Sequence, residues 1–343
     1  MPGDSRHQSV RDHRRGKRSS TGNTPRDALI TVAFSSHRSE TLSAADDLMR
    51  RHQAVVLEEP RTEGFADMLT GAMTVETYLA ATDFEFPEFT RAACPRLRAL
   101  HEAGITLYQI DPFMDELLAI HERFAAGGRP EDIASDTPGG RVFAAEKAWA
   151  RALLDYYERA LTEPFDTVVA AVQAFTRADA ERGRLRDAMR ARVIAPLIER
   201  HDRVYVEAGS LHIHLLNALR PRLLPGTRLR PVHLMEPVAR RLGGRRAAWG
   251  PGDLLTLRYT YRPGFSGPLA DLLAARSLLF VKILAKEELP ATAEEWPHLR
   301  DELACIALVS DLDYGECARI YGRIKGLSTA AARKVVEARR RAR

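Results

Sequence analysis

The sequence predicts an α/β fold: a mainly parallel central sheet flanked by helices, with a large helical insertion and a helical C-terminal extension. Three observations carry this. Short β-branched and apolar runs alternate with amphipathic helical stretches, the pattern of a parallel sheet with helical cover. The stretch between the third and fourth runs is far longer than one crossover needs. The last seventy or so residues return to helical spacing.

The first strand is "ALITVAF", residues 28–34, followed by a helix starting near Ser39–Thr41. "AVVL" (54–57) is the second strand and ends in Glu58, Glu59 and Pro60. Helical segments lead to the third, "ITLYQI" (105–110), which ends in Asp111 and Pro112. Residues 112–200 read as almost wholly helical, with 112–182 expected to form a cap over a cleft. The fourth strand begins "VYVEAGSLHIHLLNAL" (204–219), where an apolar run meets Glu207, a small-residue turn and two histidines. Two more extended candidates follow, "TRLRPVHL" and "LLTLRYTY". The domain organisation expected is a disordered basic tail over 1–26, an α/β domain over 27–260, and a helical extension with a basic tail over 261–343.

Composition narrows the classes of function. The 343 residues are 45% hydrophobic and 28% charged, ordinary for a globular chain with room for one large or two modest cores. Residues 1–27 carry seven Lys/Arg against three Asp, and residues 328–343 six against one Glu. Against a net charge of +5, the long stretch between is therefore net −4. The basic character belongs to the ends, which weighs against a nucleic-acid-binding body. Cys94, Cys305 and Cys317 are too few and too scattered for a disulfide framework or a CxxC metal site, which fits a reducing compartment. No secretory h-region opens the chain, so a cytoplasmic location is expected. The apolar segment "LADLLAARSLLFVKILAKEEL" contains Asp271, Arg276 and Lys282, and reads as a buried helix rather than a membrane span.

Ligands of open parallel sheets bind at the carboxyl ends of the strands. Those ends here carry Ser35, Ser36 and His37, then Glu58 and Glu59, then Asp111, then Glu207, Gly209, Ser210 and His212. Turn formation and helix capping account for the serines. Acidic groups or histidines at four strand ends converge more than turns require. "ITVAFSSHRSETL" and "VYVEAGSLHIHLL" echo each other; aligning His37 with His212 sets Ser35 against Ser210 and Phe34 against Gly209. Imidazoles with carboxylates suit a zinc- or manganese-type cation, and equally metal-free acid–base chemistry. His214, two residues beyond His212, points elsewhere if a helix begins there. HExxH, P-loop and GxSxG motifs are absent, so neither those enzyme classes nor a nucleotide cofactor is indicated.

The residues 186–219 resemble the closing segment of the TraB/GumN/Tiki group, within the wider superfamily of ChaN-like and erythromycin-esterase-like proteins. The pattern is an Arg, a Met shortly after, a helix, an apolar strand, GxxH and a helix; here these are Arg186, Met189, the strand from Val204, Gly209 and His212. The earlier GxxH would fall on Phe34–His37, the strand-end Glu on Glu58 and a further acidic strand end on Asp111. Phe34 stands where the family has Gly, Leu185-Arg186-Asp187 where it has Glu-Arg-Asn, and the membrane-spanning tail of many members is absent. The resemblance spans roughly 28–235. It implies a metal-dependent, peptidase-like hydrolase of a peptide, ester or amide bond. His37, His212 and Glu58 would hold a divalent cation (zinc, manganese or cobalt), Glu58 would be ligand or general base, and Arg186 would stabilise an oxyanion. Asp111, Glu207, Gly209, Ser210 and His214 would support them. The expected partner is a small molecule or peptide. The alternative is a non-catalytic protein that keeps the cleft to bind a ligand or metal in a regulatory role.

Overall fold

The computed structural model describes residues 28–289 and 295–341; the expected N-terminal tail lies outside them. Among the described residues, five strands form one parallel sheet in the order β3-β2-β4-β1-β5. These are β1 (Leu29–Ser35), β2 (Ala54–Leu57), β3 (Thr106–Gln109), β4 (Arg203–Gly209) and β5 (Arg228–His233). The α/β class, the helical insertion and the helical C-terminal extension are all present.

The central strands are buried on both faces, which explains their unbroken apolar runs. Ile30, Val32 and Phe34 of β1, with Val204, Val206 and Ala208 of β4, pack on one face against Ala191, Ile194, Ile198, Leu215 and Leu219. Alternate residues Ala33, Val55, Leu57 and Tyr205 face the opposite core, built with the helices Leu42–Met49 and Pro87–Glu102. The edge strands are shorter of burial. Among the described residues β5 pairs only with β1, so Pro231, which has no N–H to donate, is tolerated there.

The helix Phe165–Ile194 connects the sheet to the rest. At about 1.5 Å per residue its 30 residues span about 45 Å. Its last turn lies on the sheet face through Ala191 and Ile194. One turn earlier it passes the carboxyl edge of the strands, where Arg190 reaches the carbonyls of Ile110 and Glu207. Its N-terminal half therefore projects beyond that edge. There Val168, Val169, Val172 and Ala180 join a third core with Leu255, Leu278, Ile306 and Ile320 from the C-terminal helices. The insertion and the C-terminal extension thus share one core on the side of the strand ends, where a cap was expected. The apolar segment is the helix Pro268–Ile283, buried in that core. Among the described residues no helix is long and apolar enough to cross a membrane.

Two expectations need correction. "LLTLRYTY" is not extended but lies in the helix Pro251–Tyr261. Pro251 in its first turn and Asp253, whose carboxylate accepts the Gly250 N–H at 2.8 Å, start a helix. Leu255 and Tyr259, four apart, bury its inner face. The echo between β1 and β4 is also offset by one residue: the register pairs Ser35 with Gly209 and Phe34 with Ala208. His37 thus follows its register position by two residues and His212 by three. The shorter turn goes with a left-handed backbone at His37, φ 50°, a conformation uncommon outside glycine.

Ile30 is fully buried in the central β1, against partly buried Leu229 in the edge strand β5. Ile30→Ala should cost about 2–5 kcal/mol, and Leu229→Ala clearly less. Urea unfolding of both variants checks this, with equal losses arguing against the strand order.

Candidate functional site

Four strand ends and one helix build a single charged cluster. Glu58, just past β2, is its centre. Its Oε2 accepts the Gly209 N–H at 2.5 Å and lies 3.3 Å from Arg190 Nη1. Its Oε1 lies 3.2 Å from Arg186 Nη2 and 3.1 Å from His212 Nε2. The Glu58 N–H in turn donates to Glu207 Oε2 at 3.1 Å. Burial opposes ionisation of Glu58, but His212, Arg190, Arg186 and His37 outweigh it and hold the carboxyl well below its usual range.

Asp111 caps the helix Pro112–Ala125 by accepting the Met114 N–H at 3.2 Å. Its other oxygen accepts from Arg186 Nε at 2.7 Å. One carboxylate thus fixes both a helix start and the orientation of a cation. Asp187, on the same helix as Arg186, meets His212 Nδ1 at 2.5 Å. Burial pulls His212 down, but Glu58 and Asp187 outweigh it and raise its pKa above the ordinary value. His212 thus has a carboxylate at each ring nitrogen, an arrangement that favours its charged form.

His37 approaches from the other side. Its buried Nε2 has no hydrogen-bond partner, standing 4.0 Å from Glu58 Oε2 and 3.9 Å from Glu207 Oε1. The Phe89 ring packs edge-on against it at 5.6 Å. A Cβ at Gly209 would lie 3.3 Å from His212 Cδ2, 3.6 Å from His37 Cε1 and 3.7 Å from Glu58 Oε2. The lack of a side chain there lets the three groups converge. Phe34 does not obstruct this, because its ring packs into the sheet core and against His233.

Exposure separates the groups a ligand can touch from those that hold them. The side chains of His37, Arg186 and His212 are 21%, 16% and 15% exposed. Glu58, Asp111, Asp187 and Arg190 are at 3% or less. The strand-end residues His37, Glu58, Asp111, Glu207, Gly209 and His212, and Arg186, all belong to the cluster. Ser210 lies beside it in the same turn, its carbonyl accepting the Trp249 indole N–H at 3.3 Å. His214 stands apart: its Nδ1 is buried without a partner and its ring lies 6.2 Å from Tyr261. Asp187 and Arg190 are essential parts for which strand ends give no signal. Their trace is helical spacing: Arg190 follows Arg186 by one turn, on a face that must otherwise be apolar.

The donors do not fit a resident cation. Both Glu58 oxygens already meet cations and an N–H, two guanidinium groups add positive charge beside them, and both ring nitrogens of His212 face carboxylates, whereas a metal ligand must turn a free lone pair of a neutral imidazole to the ion. Among the described residues, no group of three or more His, Cys, Asp or Glu is arranged to hold a metal.

The raised pKa of His212 means it stabilises the fold fully below the ordinary histidine value of about 6.5, and that this contribution fades as pH rises through the higher folded value. Ring NMR should show His212 titrating above about 6.5, and lower in Asp187→Asn than in wild type. A wild-type ring titrating at or below the ordinary value would contradict the assignment.

No family profile and no solved structure matches the chain. A protein of Archaeoglobus fulgidus, described as uncharacterized, is 31% identical over 295 residues, which cover 86% of this chain and 98% of the relative. The match thus takes in the helical extension as well as the sheet domain, and the chain belongs to the same family as that archaeal protein.

Proposed function

We propose that the chain is a hydrolase of a carbonyl bond (a peptide, ester or amide) that works by acid–base chemistry between His37, His212 and Arg186. The observation that carries this reading is the His37 imidazole, whose buried Nε2 has no hydrogen-bond partner, in the same strand-end cluster as Arg186 and His212. The carboxylates of Glu58 and Glu207 near His37 Nε2 favour the tautomer protonated there, leaving the lone pair on Nδ1. Water gives a proton to His37 Nδ1 and attacks the carbonyl carbon. The resulting oxyanion is stabilised by the Arg186 guanidinium and the His212 imidazolium. The same two carboxylates stabilise the charge that His37 acquires. Collapse of the intermediate breaks the bond to the leaving oxygen or nitrogen, which takes the proton back from His37.

Glu58 serves in this scheme as the fixed anion that holds Arg186 and His212. A carboxylate so strongly held in its ionised form is a poor proton acceptor. The resemblance to the TraB/GumN/Tiki group supports the reaction class; the donor set does not support the metal step that resemblance implies.

His37→Gln keeps the size of the side chain and removes the base. With a panel of p-nitrophenyl esters and p-nitroanilides, kcat should fall by about 10²–10⁴-fold while the melting temperature stays near that of wild type. Wild-type turnover should survive exhaustive chelation. Undiminished turnover in the variant would overturn the role of His37. Absence of any turnover by wild type would favour a binding protein that keeps the cleft for a ligand.

A further inference from the structure

The helix Pro138–Thr162 belongs to the insertion and is held to the rest of the molecule by one face. On that face the Trp149 indole donates to Asp179 at 3.2 Å, and Arg182 meets Glu146 at 2.6 Å. Tyr156 and Ala160 pack there on the core of the helical lobe. The outer face carries Leu154, Tyr157 and Leu161, which are 67%, 56% and 79% exposed. These are the three most exposed large apolar side chains among the described residues, and all lie within about two turns of one helix. Single exposed leucines are ordinary, whereas a contiguous apolar row marks a surface that meets something.

Half-buried Ala150 extends the row. The positions 150, 154, 157 and 161 alternate steps of four and three, the seam of a two-helix coiled coil. Exposed Arg151 and Glu158, one heptad apart, flank it on the same side. Neither forms an ion pair among the described residues. Glu158 acts electrostatically on Arg159, but that guanidinium is engaged by Asp155 at 2.8 Å.

A cover for the row must be apolar along its middle and must match a cation and an anion beside it. The chain's own remaining residues do not qualify: outside the described residues, its only large apolar side chains are Met1 and Val10. A second copy of the same helix qualifies in one direction. Antiparallel pairing about a two-fold axis sets Leu154 against Tyr157 of the second copy, Leu161 against Ala150, and Arg151 beside Glu158, each twice by symmetry. Parallel pairing would set Arg151 beside Glu146, which Arg182 already holds, and Glu158 beside the apolar Leu153.

We propose that the chain forms a two-fold symmetric dimer in which the helix Pro138–Thr162 pairs antiparallel with its copy. Three exposed apolar side chains of each partner leave water, and two Arg151–Glu158 pairs fix the direction. The seam is short, so the dimer is reversible, with a dissociation constant on the order of micromolar. None of these residues belongs to the charged cluster, and the dimer does not rest on the hydrolase reading.

Sedimentation equilibrium of the full chain across the micromolar range should show monomer and dimer in exchange. Leu154→Glu puts a charge into the seam and should weaken the dimer about tenfold or more. Its circular dichroism should stay that of wild type, because the residue is exposed in the monomer. Arg151→Glu and Glu158→Arg should each weaken the dimer about threefold or more, since like charges then meet across the seam. Both reversals in one chain should restore wild-type affinity. Arg151→Cys/Glu158→Cys should oxidise to a covalent dimer, because two cysteines of one copy stand about 10 Å apart along the helix, beyond disulfide reach. Neither single cysteine variant should do so, and the native Cys94, Cys305 and Cys317 are buried. A wild type that stays monomeric, or a dimer indifferent to Leu154→Glu, overturns the proposal. A dimer that the double reversal fails to restore overturns the antiparallel arrangement. A monomer that instead binds phosphatidylserine vesicles, and loses that binding in Leu154→Glu, gives the row to a lipid surface and overturns the dimer.

Discussion

The buried carboxylate of Glu58 is the interaction on which the site depends. Two guanidinium groups, one imidazolium and one backbone N–H meet its two oxygens. Those partners come from three parts of the chain: both arginines from the helix Phe165–Ile194, His212 from the turn after β4, and Gly209 from the end of β4 itself. Neither the anion nor the cations could be buried alone, since an unpaired charge in the interior costs several kcal/mol or more. The cluster therefore ties the helical lobe to the sheet by charge as well as by packing. The order β2-β4-β1 puts Glu58, Gly209 and His37 on neighbouring strand ends, which is what allows one carboxylate to serve all of them.

The long helix does two jobs at different turns. Its last residues cover the sheet, and Arg186, Asp187 and Arg190 complete the site. The Asp187 carboxylate pairs with His212 Nδ1 and shifts the imidazole toward its charged form. With Glu58 on the other nitrogen, His212 is disposed to carry charge rather than to accept a proton, and the proposed mechanism gives that second role to His37. The same charge arrangement disfavours a metal ion. Motif and donor set thus point to different chemistry, and the donor set is the physical constraint.

Much of this was legible in the sequence, for a specific reason. In a parallel sheet every strand ends on the same edge, so polar residues following apolar runs converge without any knowledge of strand order. His37, Glu58, Asp111, Glu207 and His212 were found that way. Arg190 and the role of Asp187 were not, because a helical residue has no edge to belong to. Their charges fall on a face whose burial is set by the distant sheet. "LLTLRYTY" misled for a related reason: its alternating β-branched and aromatic residues suit a strand, but Pro251, Asp253 and the core of the helical lobe decide otherwise. The one-residue offset between the His37 and His212 turns could not be read from motif spacing, because it is absorbed by the left-handed backbone of His37.

The central claim is that Glu58 and the cations around it are buried as a mutually dependent set. A double-mutant cycle on stability tests it most directly, with Glu58→Gln, Arg190→Met and the pair compared by urea unfolding. Each single change should cost about 3–5 kcal/mol, because it leaves the opposite charge buried and under-compensated. The double variant should lose clearly less than the sum of the two, since it removes both charges together. Losses that simply add would contradict the account.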